Sequence, residues 1–344
     1  MSDNPSAVQP RHPTRRHPTV SDVAAAAGVS TSTVSRALRN SPLINERTRL
    51  KVLETMRELG YAPSAIARSL RTRSSPFVGV IVPDVAVEFY AAALKGAQDV
   101  LEPAGYQVLV MNNECDPEKE AVALSTLVSH RVGGVLISSS GGYEPCEVPV
   151  VFFDQVPGVP GVGDGEVLLD NRGGIEQLLE HLIGHGHRRI AYLGGPAGYT
   201  SGDERREAFL AAAAMASLEL SSGYVQMSDY RWSEESGERM TANLLSLDRP
   251  PSAILAGSET LAIGALRMLR KADIRVPQDI ALVCFDDPRL GDLIDPPITA
   301  ISQHSTEFGQ RAAAMLLQRL QGPQPRAAAR ISAQLVVRRS CGCT

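Results

Sequence analysis

Apolar and polar residues follow two different rhythms along this chain, and the change of rhythm divides it. From residue 76 onward the apolar residues come in short unbroken runs rich in β-branched side chains: "FVGVIVPDV", "YQVLVMNN", "VGGVLISSS", "VPVVFFDQ", then "EVLLDN", "RRIAYLGG", "SAILAGS" and "IALVCFDDP". Runs of that length suit parallel strands buried on both faces. Helical segments beginning near Glu88 and Glu118 separate the first three. This alternation predicts two parallel sheets covered by helices over residues 76–340. Ligands in such folds sit beyond the carboxyl ends of the strands, between the halves.

Upstream the period is helical. Asp22 to Ala27 reads as a short helix with Thr19 or Ser21 able to cap it, and Gly28 suits the left-handed residue that ends it. Ser30 then starts a second helix running to about Leu38, with Val34, Ala37 and Leu38 as its buried stripe. Ser32, Ser35, Arg36 and Arg39 fall on one exposed face. Two short helices around a glycine turn match the helix-turn-helix of DNA-binding proteins; an ordinary helical hairpin with a hydrated hydroxyl face has the same spacing. Short hydroxyl side chains keep a helix slim enough for the major groove, where Arg36 would fork onto a guanine. In a third helix, "NERTRLKVLETMRELGY", Asn45 caps, Gly60 ends, and Leu50, Leu53, Met56 and Leu59 form the apolar face. Pro63 bars its continuation, and "SAIARSL" then makes two turns at most, too short to be stable alone.

Charge sharpens this division. The 344 residues carry a net charge of −4, yet residues 1–75 hold 12 Lys and Arg against 5 Asp and Glu, and the remainder 22 against 33. A basic head on an acidic body is expected to meet a polyanion through the head alone. The first 18 residues, rich in proline and charge, read as a disordered arm without the apolar core of a secretory signal. No apolar run is long enough to span a membrane. Five scattered cysteines imply reduced thiols and a cytoplasmic location, and the terminal "CGC" lacks the second ligand pair that a metal site needs.

"TVSDVAAAAGVSTSTVSRAL" followed by "RTRLKVLETMRELGYAPSAIARSL" closely resembles the lactose-repressor (LacI/GalR) family of bacterial transcription factors. The resemblance runs on through "HGHRRIAYLGGP", "VPQDIALVCFDDP", "PPITAISQ" and "LVVRRS", over about residues 19 to 340. It implies an all-α helix-turn-helix head (residues 19–63), a hinge helix and linker (64–75), and a bilobed α/β core like the periplasmic binding proteins (76–340). The chain of that core crosses three times between two interleaved parallel-sheet subdomains. By the same resemblance Thr31, Ser32 and Arg36 contact bases, Thr33 and Ser35 contact phosphates, and Ser64, Ala67 and Leu70 belong to the DNA-bound hinge. Leu70 takes the place of the leucine that wedges into the minor groove. Ser64 stands where the family usually has Asn.

In the core, Asp84, Asp154 and Asp286 each follow an apolar run. Such acids either cap the next helix and loop amides or reach a ligand. The resemblance matches Asp286 and Arg205 to effector-contacting residues, sets Phe89, Tyr90, Leu169 and Trp232 along the cleft, and adds Asp154 and Ser258 to the same site. Carboxylates and an arginine beside aromatic rings suit a sugar. Trp232 also suits the role of a half-exposed ring sealing a helix start. Three departures reshape the cleft: Val87-Glu88 in place of Asn-Pro, Ser258-Glu259 in place of Asn-Asp, and Gln155 where Arg is frequent.

The expected function is a cytoplasmic, homodimeric transcriptional regulator, a repressor of sugar-utilisation genes that binds a pseudo-palindromic operator in double-stranded DNA and answers to a sugar-like effector. No catalysis, cofactor, metal or membrane is expected, and no heptad tail suggests a tetramer. An exported sugar-binding protein shares the bilobed body but not the basic head. A carbohydrate enzyme lacks support from any P-loop, HExxH or GxSxG motif. His185 and His187 in "HGHRR" follow a helix and read as C-terminal helix charges.

Overall fold

The computed structural model describes residues 18–38, 41–61, 75–159, 161–229 and 232–343. Nearly all of the arm, the hinge helix with Ser64, Ala67 and Leu70, and Arg39 lie outside them. The chain forms two compact units, residues 1–74 and 75–344.

The first unit holds α1 (Val20–Ala27), α2 (Thr31–Leu38) and α3 (Glu46–Leu59). Thr19 and Asp22 close a capping box at the start of α1, and Gly28 ends the helix at φ 67°. Asn45 caps α3 by accepting from the Thr48 amide at 2.8 Å. The alanines of α1 keep its surface low, so all three helices touch around Val23, Ala24, Ala27, Val34, Ala37, Val52 and Met56. Leu50 and Leu59, expected on the inner face of α3, are instead exposed. The helix turns Val52, Thr55 and Met56 inward. That stripe keeps helical spacing, but a β-branched residue and a threonine carry it in place of leucines.

The second unit contains two six-stranded sheets. The first lobe is built from β1 (Phe77–Val82), α4 (Glu88–Leu101), β2 (Gln107–Asn112), α5 (Pro117–Ser129), β3 (Val135–Ile137), β4 (Val150–Phe153) and β5 (Gly165–Leu169). After β5 the chain crosses over. The second lobe then runs through α6 (Asn171–Gly184), β6 (Ile190–Gly194), α7 (Thr200–Met215), β7 (Val225–Met227), α8 (Glu234–Leu245), β8 (Ala253–Ala256), α9 (Glu259–Lys271), β9 (Ala281–Phe285) and β10 (Thr299–Ser302). A second crossing returns α10 (Ser305–Gln321) and β11 (Ala327–Ile331) to the first lobe, and a third carries β12 (Gln334–Val336) to the second.

The sheet orders are β11-β5-β4-β3-β1-β2 and β12-β10-β9-β8-β6-β7, parallel throughout except where β12 meets β10. The register sets Val80 beside Val110 and Leu136 in the first sheet, and Tyr192 beside Leu255 in the second. Strands β3, β4, β8 and β9 are buried end to end, as strands covered on both faces must be.

Each lobe also clamps one helix pair through glycines. A Cβ at Gly309 of α10 would fall 1.7 Å from the Ala93 carbonyl oxygen of α4, and one at Gly96 would fall 2.0 Å from that of Thr306. Gly237 of α8 and Gly264 of α9 make the matching approach in the second lobe. Among the described residues no helix is long and apolar enough to cross a membrane.

Candidate functional site

The carboxyl ends of both sheets open on one cavity of about 560 Å³. Strand ends supply Asp84, Asp154, Gln155, Asp286, Asp287 and Gln303, while the first two turns of α4, α7 and α9 supply Glu88, Phe89, Tyr90, Ser201, Arg205 and Glu259. A parallel sheet places its loops and helix starts at one edge, and two sheets facing across a cleft pool them.

On the first lobe's side, Asp154 follows β4 with its backbone in the left-handed region (φ 61°). The Tyr90 hydroxyl donates to its Oδ2 at 2.7 Å and lies 3.2 Å from Ser138 Oγ. Burial pushes the Asp154 carboxyl up to about 6, against the opposing pull of Tyr90 and Arg205. Phe89 packs edge-on against Tyr90 and against Phe308 of α10, at 5.0 and 5.4 Å between ring centres.

On the other side, Arg205 is almost fully buried, its guanidinium 3.8 Å above the Phe285 ring. Its Nε donates to Asn171 Oδ1 at 2.8 Å and one Nη donates to the Gly257 carbonyl at 2.7 Å. The same Nη lies 3.6 Å from Asp286 Oδ1, an oxygen that is buried without a hydrogen-bond partner. Desolvation raises the Asp286 carboxyl, and Arg205 opposes the rise. Glu259, next to Asp286, Glu88 and Asp287, is pushed up to about 7 by burial first and by those charges second. Trp232 is half-buried over the backbone of Gly195, where a Cβ would fall 2.1 Å from the indole. The site thus offers several carboxyls, one fixed arginine and the rings of Phe89, Tyr90, Tyr199 and Trp232, a lining that hydrogen-bonds hydroxyls at a ring's edge and packs against its faces.

A clasp joins the lobes at one end of the cavity. Gln155 bonds through its side-chain nitrogen to Ser201 Oγ, and its Oε1 accepts from the Ser201 amide at 3.3 Å. Thr200 exchanges hydrogen bonds with the Val156 backbone at 3.2 Å, and the Tyr199 hydroxyl donates to the Cys115 carbonyl at 2.9 Å.

In the first unit, Ser30 caps α2, accepting from the Thr33 amide at 3.1 Å. Thr31, Ser32 and Arg36 are exposed together on the outer side of α2, with Thr33 half-buried beside them. Ser35, expected on that face, is buried to 6% exposure. It stands one residue beyond Val34, about 100° around the helix from the centre of the buried stripe, and its short side chain is covered there.

Comparisons with known proteins fit both units. The model of bacterial regulatory proteins of the lacI family matches residues 19–64, and that of the periplasmic binding protein-like domain matches residues 179–341. The ribose operon repressor of Escherichia coli (strain K12) is 33% identical over 312 residues, which span 89% of this chain and 94% of the repressor. The chain belongs to the LacI family. As a member of the LacI family it is a DNA-binding transcriptional regulator. The HTH-type transcriptional regulator CelR of Thermobifida fusca is 34% identical over 90% of this chain and 93% of its own length. Among solved structures, a lac repressor dimer bound to operator and an anti-inducer superposes with a TM-score of 0.84 at 27% identity, covering 95% of this chain and 99% of that one. A complex of CelR with cellobiose gives 0.69 at 29% identity, over 94% and 99%. These LacI-family relatives are regulators.

Of the effector residues read from the sequence, Phe89, Tyr90, Asp154, Arg205, Trp232, Ser258 and Asp286 all line the cavity. Leu169 does not. It ends β5 inside the hydrophobic core at 1% exposure, and the residue after it, Asp170, caps α6 by accepting from the Gly173 amide at 3.0 Å instead of reaching the cavity. Ser258 also caps α9, accepting from the Leu261 amide at 3.3 Å. Asp84 both lines the cavity and accepts from the Ala86 amide at 2.9 Å, so the loop-binding and ligand-facing readings hold for it together. The sequence reading did not single out Tyr199, Ser201, Gln303 or His304. Their signal was positional, in that each starts a helix or follows a strand at the cleft edge.

Proposed function

We propose that this regulator is a cytoplasmic homodimeric repressor of sugar-utilisation genes, released from or driven onto its operator by a small polyhydroxylated effector held in the cleft. The single observation that carries this reading is the pairing, on one chain, of an exposed Thr31–Ser32–Arg36 face with a cleft cavity built around Arg205, Asp286 and Trp232. Thr31, Ser32 and Arg36 read base edges, and Thr33 holds a phosphate oxygen. Ser35, buried at 6% exposure, would reach a phosphate only from the covered flank of α2, and Arg39, Ser64, Ala67 and Leu70 complete the DNA contacts. One helix of this size spans one half-site, so a two-fold dimer reads a pseudo-palindrome. The lac repressor relative was crystallised as a dimer on operator, and CelR was crystallised with cellobiose.

In the cleft, Asp286 and Arg205 bind hydroxyls, Asp154 and Ser258 bind from the facing edges, and Phe89, Tyr90 and Trp232 pack against the ring. The ligand leaves unchanged. The test is selection of duplexes from a random pool by the full-length protein, followed by competition with a panel of monosaccharides, disaccharides and nucleosides. A pseudo-palindromic consensus whose binding shifts tenfold or more with one panel member is expected. Asymmetric sites, a complex indifferent to the whole panel, or turnover of a bound sugar overturns the reading.

A further inference from the structure

A second cluster lies apart from the cleft, on the second lobe. His181 and His185 stand one turn apart at the carboxyl end of α6, so their rings share one face, 4.8 Å between centres. The tail after β12 brings Cys341 and Cys343 against that face. Gly342 between them takes φ 100°, a conformation that side chains resist, and it turns the two cysteines toward the same point. One ligand atom from each of the four residues lies within 4.8 Å of every other. Cys343 Sγ is 3.1 Å from His185 Nε2 and 3.7 Å from His181 Nε2.

We infer that His181, His185, Cys341 and Cys343 form a tetrahedral Zn²⁺ site that staples the carboxyl-terminal tail to α6. Two imidazoles and two thiolates are the donor set of structural zinc, and the closed shell leaves no open position for substrate. Zn–S bonds of about 2.3 Å and Zn–N bonds of about 2.0–2.1 Å place tetrahedral ligands roughly 3.4–3.8 Å apart, so the longest edge here closes by about 1 Å.

The surroundings support the ligands. Cys341 is buried at 1% exposure, and Thr299 Oγ1 donates to its sulfur at 3.1 Å. That hydroxyl accepts from the Arg338 amide at 2.8 Å, which leaves its own proton for the sulfur, the outer-shell support that a metal thiolate needs. The tail itself is pinned, since Ser340 bonds to Leu282 of β9 through its hydroxyl at 2.5 Å and accepts from the Thr299 amide of β10 at 2.8 Å. Binding balances simply: Zn²⁺ enters, both thiols lose their protons to solvent, and no electrons move. The thiol proton of Cys341, held by the Arg338 carbonyl at 3.3 Å, is one of the two displaced.

His187 takes no part, because its Nδ1 lies against Ser252 Oγ at 3.1 Å. None of the four ligands lines the effector cavity. The staple therefore joins the helix that follows the first crossing to the tail that follows the third, and fixes the second lobe without touching the cleft.

The test uses the full-length protein, reduced with a phosphine and stripped with chelator, titrated with Co²⁺ as a spectroscopic stand-in and then with Zn²⁺. One equivalent of Co²⁺ is expected to give intense visible bands of a tetrahedral site with thiolate-to-cobalt charge transfer, and Zn²⁺ is expected to bleach them. Zn²⁺ is expected to raise the thermal midpoint by several degrees. His185→Gln and Cys343→Ser, both near the surface, should weaken Zn²⁺ by at least about 100-fold with the metal-free melting unchanged, and His187→Gln should bind as the parent does. Absence of the charge-transfer band at saturation overturns the inference. So does a band of undiminished intensity in Cys343→Ser, which would trace the metal to other cysteines, or a Cys341–Cys343 disulfide that persists under reductant and leaves Co²⁺ unbound.

Discussion

Asp154 and Asp286 occupy the same position in the two lobes. Each follows the phenylalanine that ends the third strand of its sheet, Phe153 of β4 and Phe285 of β9, and each has a left-handed backbone, φ 61° and 74°. Both carboxyls enter the one cavity, and the charge of Asp286 raises the cost of ionising Asp154. Asp154 spends its hydrogen bond on Tyr90, while Asp286 keeps an oxygen without one. The two are therefore unequal. With the sugar that the ligand panel returns, Asp286→Asn should weaken binding by at least about tenfold, or 1.4 kcal/mol, and Asp154→Asn by less. Calorimetry at fixed pH ranks them, and an equal or reversed ranking rejects Asp286 as the main ligand contact.

The raised carboxyls make stability depend on pH. A carboxyl whose folded pKa exceeds its unfolded one contributes stability below its ordinary range, and that contribution is lost as pH rises through the folded value. Asp154 at about 6 and Glu259 at about 7 act in this direction. Melting of the ligand-free protein between about pH 5 and pH 8 should fall less steeply in Asp154→Asn and in Glu259→Gln than in the parent. Parallel curves for parent and variants would show that these groups ionise alike in both states.

On DNA, Arg36→Ala should cost about 1–3 kcal/mol per half-site and flatten the preference at one base pair in each. A Thr33→Val change should weaken all sequences more evenly, as loss of a phosphate contact does. Repeating the random-duplex selection with each variant separates the two patterns. An unaltered consensus with Arg36→Ala removes that residue from base reading.

Trp232 is the only tryptophan, so its fluorescence reports the cleft without background. A sugar that stacks on the indole should shift its emission saturably, with the same midpoint as calorimetry gives. Heat of binding without any change in emission would move the ligand away from Trp232 and toward Phe89 and Tyr90.

Gly309→Ala should destabilise the second unit by about 1–3 kcal/mol, because the new methyl meets the Ala93 carbonyl and two helix backbones must part. Gly184, whose Cβ direction is open, serves as the control for the loss of a helix glycine. Equal melting of the two variants would mean that α4 and α10 part at no cost.

Much of the fold was readable because it rests on local signals. Thr19, Gly28, Asn45 and Gly60 mark their helix ends, and runs such as "ALVCF" mark buried strands. The short strands β7, β11 and β12 carry weaker patterns and owe their place to neighbours. Asp154, Arg205 and Asp286 were placed along the cavity by position and resemblance, whereas Leu169 ends a buried strand whose next residue, Asp170, turns to cap α6 and not to the cleft. Ser35 and the inner face of α3 were misread because small and β-branched residues can line a core as well as leucine does. The cluster at Cys343 was beyond reach: its histidines lie about 160 residues upstream, and only the third crossing brings them together.

The three crossings also set a timetable for synthesis. The first lobe's sheet takes its edge strand from β11, and its inner face is covered by α10, yet both leave the ribosome only after the whole of α6 to β10. A nascent chain halted after β5 carries five strands with an open edge at Gly165–Leu169 and an uncovered apolar face, the kind of surface that recruits other chains. The second lobe, by contrast, has all but its antiparallel edge strand in one continuous stretch. In the growing polypeptide the later-made lobe is thus the first that can close, and the earlier-made one must wait, with chaperones as its natural company, for the last part of the message to be read.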